Sequence, residues 1–180
     1  MEKREKPSKA IFVFFMFFLI WVLLQFISPL ILPSNSITDL SGVTILSDNK
    51  NVIEKMPQPI GFVYTAGDVL CHQKAERSFF VNNNQMPFCS RCTGIWLGIV
   101  IGIGMMVFYR FELDEKIFFL IVLGILPLGV DGVGQLVGLW ESINSVRLVT
   151  GVLTGFVCGI AIGIIIDEFR DILAKNYFSE

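Results

Sequence analysis

Four long apolar runs, Ile11 to Leu32, Thr93 to Phe108, Ile117 to about Leu139 and Leu148 to Ile166, constrain this chain more than any other feature. A hydrocarbon core of about 30 Å is crossed by roughly 20 helical residues, and in lipid only a helix or a closed barrel satisfies its own backbone. The first and third runs meet that length outright, and the second and fourth meet it with their flanks. Of 180 residues, 53% are hydrophobic and 17 are Phe, more apolar surface than one water-soluble core can hide. The expected fold is an all-α integral membrane bundle of four transmembrane helices in the cell membrane, with the lipid bilayer as its main partner. A formal net charge of -2, with no extended basic block beyond the amino-terminal tail, gives no sign of a nucleic-acid partner, and none is expected.

The first run has a basic prelude, as a secretory signal does. It nevertheless exceeds the roughly 7–15 residues of a signal's apolar region, and Leu30-Ile31-Leu32-Pro33 offers no small-residue cleavage site. A retained anchor is expected. Lys3, Arg4, Lys6 and Lys9 precede it, and no basic residue lies between Pro33 and Asn49. The positive-inside rule then puts both termini, with Arg170 and Lys175, in the cytoplasm. The chain divides into a tail and first helix (1–36), an extracytoplasmic loop (37–60) and a core (61–180) holding an interfacial segment and three transmembrane helices. Within that core, apolar spacing at Phe62, Tyr64, Val69 and Leu70 predicts a helix along the membrane surface, and a polar loop from Asn82 to Pro87 returns the chain to the bilayer.

Glycines recur every fourth residue at Gly94, Gly98 and Gly102 and again at Gly151, Gly155, Gly159 and Gly163. Such stripes let two membrane helices bring their backbones together, so a packed seam is expected.

Three of four cysteines and the one histidine fall between Val69 and Gly94. Cys71, His72, Cys89 and Cys92 supply soft sulfur and imidazole ligands, and Cys89-x-x-Cys92 has the spacing with which short loops grip zinc. Adjacent Cys71 and His72 diverge by about 100° if helical, which leaves His72 either a ligand or a neighbour of the ligands. The same Cys-x-x-Cys opens a helix, where free N–H groups favour a thiolate suited to disulfide exchange. A structural disulfide is the third reading. Cys158, among Val157, Gly159 and Ile160, reads as a packing residue.

Polar residues of later segments gather at the same membrane face. Asp131 and Gln135 share a helix face, with Asp131 expected about 12 Å below the helix end near Leu139. A carboxylate at such depth is costly and points to a cavity or a partner. Asp131, Gln135, Glu141 and Asn144 are the candidate catalytic groups. Arg77, Ser78, Arg91 and Arg147 are the candidate substrate-binding groups, because guanidinium forks grip phosphate. The function these readings favour is metal-assisted hydrolysis or transfer on a phosphate-bearing or lipid substrate, with a thiol oxidoreductase or a scaffolding protein as alternatives.

The ordered set CHQ (Cys71 to Gln73), RSF (Arg77 to Phe79), CSRCTG (Cys89 to Gly94), Asp131, Gln135, ES-x-N (Glu141 to Asn144), Arg147 and Thr150-Gly151 resembles a family of small archaeal and bacterial polytopic membrane proteins of unknown function. The resemblance covers about residues 61–163, with Trp96 where the family often has Tyr. It implies a multi-pass membrane protein.

Overall fold

The computed structural model describes residues 2–4, 7–42 and 48–177; Lys6 of the basic prelude lies outside them, as does the side chain of Lys175. Among the described residues four helices are long and apolar enough to cross a membrane: α1 (Lys9–Ile31), α4 (Ser90–Phe108), α5 (Glu115–Leu136) and α6 (Asn144–Tyr177), the last turning charged from Asp167 onward. Short α2 (Lys50–Ile53) and α3 (Ile60–Leu70) lie between the first two spans. Two small antiparallel pairs join β1 (Glu2–Lys3) to β4 (Tyr109–Arg110) and β2 (Ser78–Val81) to β3 (Asn84–Cys89). The molecule is a four-span helical bundle, with a β-hairpin that the all-α expectation lacked.

Side-chain caps set two of the spans. Ser8 Oγ accepts the Ile11 N–H at the head of α1, and Asp114 Oδ1 accepts the Ile117 N–H at 2.8 Å at the head of α5. The third apolar run continues to Leu139, but its helix stops at Leu136. Gly138 adopts φ +73, its N–H reaching the Gln135 carbonyl and the Leu139 N–H reaching the Gly134 carbonyl at 2.9 Å. This left-handed stop needs glycine and overrides the apolar composition beyond it. Asp131 is therefore about 7.5 Å from the helix end, shallower than expected.

The glycine seam joins α4 to α6. A Cβ on Gly98 would strike the Val152 carbonyl oxygen, and one on Gly155 would strike that of Ile95. Gly94, Gly102, Gly151 and Gly159 face opposing backbone in the same way, whereas Gly163 faces only the Met106 side chain. Small residues thus let the two backbones touch over two turns and more, and dispersion between them replaces the hydrophobic drive that lipid does not supply. Ile11 of α1 completes an apolar cluster with Ile99, Ile103 and Met106 of α4 and Ile160 and Ile164 of α6.

At the opposite end from the termini, the chain between α1 and α4 builds a cap. Leu32, Ile37, Leu40, Ile53, Met56, Ile60 and Tyr64 form its own apolar cluster, so the described part of the 37–60 loop is packed. Trp21, Phe88 and Trp96 meet edge to face and fasten the cap to α1 and α4. The expected polar loop at Asn82 to Pro87 is mostly strand. Asn82 and Asn83, at φ 54 and 56, make the two-residue turn that matches strand twist. Register shifts between Ser78 and Phe80, in the stretch of β3 that holds Pro87, which has no N–H for the ladder.

Candidate metal centre

Cys71, Cys89 and Cys92 converge from three places in the fold: the residue after α3, the end of β3 and the first turn of α4. Their sulfurs all lie within 4.8 Å of one another, and no two are bonded. Such a group can hold a metal ion.

Local packing explains the convergence. Gly67 of α3 lies so close to β3 that a Cβ there would strike the Pro87 carbonyl oxygen, and Gln73 Nε2 donates to that same oxygen at 2.7 Å. α3 ends at Leu70, and Cys71 takes extended backbone at φ -141, ψ 144. Successive side chains of extended backbone point to opposite sides. Cys71 accordingly turns inward and is buried, while His72 is exposed, its Nδ1 3.4 Å from the Gly42 carbonyl oxygen. The helical divergence expected for this pair does not arise, and the His72 ring stands outside the sulfur group.

Backbone donors surround the sulfurs. Cys71 Sγ accepts the Cys89 N–H at 3.4 Å and the Gln73 N–H at 3.5 Å, the latter possible because Gln73 has φ 43. Cys89 is the N-cap of α4. Hydrogen bonds from the Cys71 and Cys92 thiols, joined by the N–H groups of Cys92 and Arg91, hold the Cys89 thiol well below the ordinary thiol range. The hydrogen bond to Cys89 correspondingly pushes the Cys71 thiol up.

A cavity of about 180 Å³ opens beside the sulfurs and is lined by all three cysteines together with Arg77, Arg91 and Arg147. His72 and Lys74 stand on its rim side. A polar chain ties its wall across four elements. Arg91 donates to the Asp131 carboxylate, Gln135 Nε2 donates to the same carboxylate at 3.0 Å, and Gln135 Oε1 accepts from Arg147 at 3.1 Å. Arg147 also donates to Asn144 Oδ1 at 3.0 Å, and Asn144 Nδ2 reaches the Ser78 carbonyl at 3.3 Å.

Thus the structure gathers Cys71, Cys89, Cys92, Arg77, Arg91 and Arg147 at one cavity, with Asp131, Gln135 and Asn144 behind its wall. Ser78 is buried in the hairpin, donating to the Lys74 carbonyl at 2.9 Å, and Glu141 is exposed on the loop before α6. Sequence reasoning missed Asn84 and Gln85. Asn84 Oδ1 accepts the N–H groups of Ser36 (2.9 Å) and Ile37 (3.0 Å), and its Nδ2 donates to carbonyls at the end of α1. Gln85 Oε1 accepts the Leu40 N–H at 2.9 Å, and Nε2 donates to Ser78 Oγ at 3.1 Å. The Asn82-Asn83 pair after Phe79-Phe80-Val81 was the available signal for this hairpin.

Residues 71–165, more than half of the chain, match the family of predicted membrane proteins designated DUF2085. The chain belongs to the DUF2085 family. The matched span of this DUF2085 protein begins at the first clustered cysteine and runs into α6, so it contains the whole sulfur group and the cavity arginines. The uncharacterized protein MJ1492 of Methanocaldococcus jannaschii is 38% identical over 98 residues, a match that covers 52% of this chain and 62% of that relative. An uncharacterized protein of Methanothermobacter thermautotrophicus is 38% identical over 90 residues, covering 48% of this chain and 78% of that protein. No solved structure matches.

Proposed function

We propose that this membrane protein is a metal-assisted hydrolase or transferase whose centre is zinc held by Cys71, Cys89 and Cys92. The observation that carries the reading is the mutual approach of three sulfurs within 4.8 Å. Zinc with bonds of about 2.3 Å spaces tetrahedral sulfur ligands about 3.8 Å apart, so only small side-chain movements close the site. A metal uses all three sulfurs at once, whereas a disulfide uses two and leaves the third spare or as a resolving thiol. A bound ion would supply Lewis acidity beside the cavity.

The chain's own residues divide the remaining work. The N–H groups of Gln73 and Cys89 orient the Cys71 sulfur, a supporting role typical of groups just outside a metal's ligands. His72 faces the cavity from outside the sulfur group and is positioned to hold or pass a proton on its imidazole. Asp131, Gln135 and Asn144 position arginines. The reading keeps the sulfur end extracytoplasmic, from the basic prelude and the positive-inside rule, and treats residues 61–180 as the functional core behind an anchor (1–36) and a loop (37–60).

One observation favours a second reading, thiol–disulfide exchange: Cys89 caps α4, where free N–H groups favour its thiolate. Elemental analysis beside a thiol count separates the two. We expect about one ion per chain, as one such site requires, and thiols that resist alkylation until chelator or acid protonates the ligands and releases it. Cys89→Ser or Cys92→Ser should lose the ion, and Cys158→Ser and His72→Ala should keep it. A metal-free protein with a Cys89–Cys92 disulfide that exchanges with a dithiol overturns the zinc reading in favour of the oxidoreductase.

A further inference from the structure

We propose that Arg147, with Arg77 beside it, recognises a phosphate-type oxyanion that enters the cavity next to the sulfurs. This deepens the metal-centre reading by naming the ligand class, and rests on that reading only for the ion the anion would face. The argument starts from charge. Arg147 is 4% exposed, yet among the described residues no carboxylate oxygen lies within 4.0 Å of it. A buried unpaired guanidinium is strongly unfavourable, and the other deeply placed arginines avoid it: Arg4 pairs with Asp167 and Arg91 with Asp131.

Neutral amides hold Arg147 instead. Its Nη1 donates to Asn144 Oδ1 and its Nη2 to Gln135 Oε1, while its buried Nε has no partner. Each amide is itself fixed, Gln135 by the Asp131 carboxylate and Asn144 by the Ser78 carbonyl. The wall therefore orients this guanidinium through neutral amides, and the opposite charges that act on it, Asp131 and Cys89, do so without direct contact. Arg77 adds a second buried Nε with no hydrogen-bond partner, its nearest carboxylate being the exposed Glu76 at 3.8 Å.

Forked guanidinium donors match tetrahedral oxyanions, and a positive charge awaiting a counter-charge selects an anion over a neutral ligand. A cavity of about 180 Å³ leaves room for a phosphate group beside the sulfurs and arginines. The same chemistry belongs to free phosphate and to a lipid phosphate headgroup at the membrane surface.

The test uses the full chain in nanodiscs of phosphatidylcholine, with labelled inorganic phosphate as probe and metal content measured on the same samples. Saturable binding is expected, about tenfold or more weaker in Arg147→Gln with metal retained, and weakened less in Arg147→Lys, which keeps charge but loses the fork. Arg77→Gln, on the hairpin side of the cavity, should weaken binding without disturbing the spans. Adding phosphatidic acid to the nanodiscs distinguishes the sources: displacement of the label assigns the site to a lipid headgroup, and no displacement assigns it to free phosphate. Phosphate binding by a chain without metal sustains this proposal and removes the metal reading. A metal-loaded chain that neither binds phosphate nor retains phosphatidic acid in native mass spectrometry overturns it, as does unchanged binding in Arg147→Gln or Arg77→Gln. Loss of metal in Arg147→Gln also overturns it, because Arg147 would then be the counter-charge of the sulfurs.

Discussion

Arg91, on the first turn of α4, gives a guanidinium hydrogen bond to Asp131, five residues before the end of α5. This ion pair ties α5, which also packs on α6 through Gly124, Thr154 and Gln135, to the start of α4. Asp131→Asn should leave Arg91 without its counter-charge and lower stability by about 2 kcal/mol, below the 3–5 kcal/mol of a fully buried pair because Arg91 keeps some exposure. The variant should retain metal. A double-mutant cycle with Arg91→Gln, read by unfolding in detergent, should give a clear coupling energy, and simple additivity would show that the pair is idle.

The glycine seam supplies a sharper contrast. A methyl at Gly155 meets the Ile95 backbone, whereas one at Gly129 meets nothing within 4 Å. Gly155→Ala should cost about 2 kcal/mol or more by forcing α4 and α6 apart, in the range of overpacked cores. Gly129→Ala should be neutral or slightly stabilising through helix propensity. The midpoint of detergent unfolding measures both, and equal effects would mean that the seam is not a structural contact.

Asn84 ties the hairpin turn to the end of α1 and the start of the loop, fully buried and with both ends of its amide engaged. Asn84→Leu keeps the size and strands several backbone groups, so a loss of about 3 kcal/mol is expected. Because β3 delivers Cys89, metal content should fall with it. Retained metal in a destabilised variant would show that the sulfur group does not depend on the hairpin.

Topology can be read from the same cysteines. After reduction and metal removal, an impermeant thiol reagent applied to intact cells should label Cys71, Cys89 and Cys92, while Cys158 inside α6 stays unlabelled. Labelling that requires lysed membranes would reverse the orientation.

Hydrophobic run length was legible in the sequence because a bilayer imposes it directly, so the four spans could be read from it. The glycine spacing likewise carried its own partner, since a fourfold stripe on two helices has few other uses. The Cys-x-x-Cys pair and Cys71 announced the group of sulfurs that the fold brings together. What the sequence left undecided were matters of direction and charge balance. Whether His72 joins Cys71 depends on α3 ending one residue earlier, which turns adjacent side chains to opposite sides of extended backbone. Where α5 stops depends on the left-handed Gly138 rather than on hydropathy. That Asp131 pairs with Arg91 while Arg147 contacts only neutral amides follows from how α4, α5 and α6 pack together, and no spacing along one chain encodes it. Ion pairs and cavities are properties of distance between segments, and only tertiary packing fixes that distance.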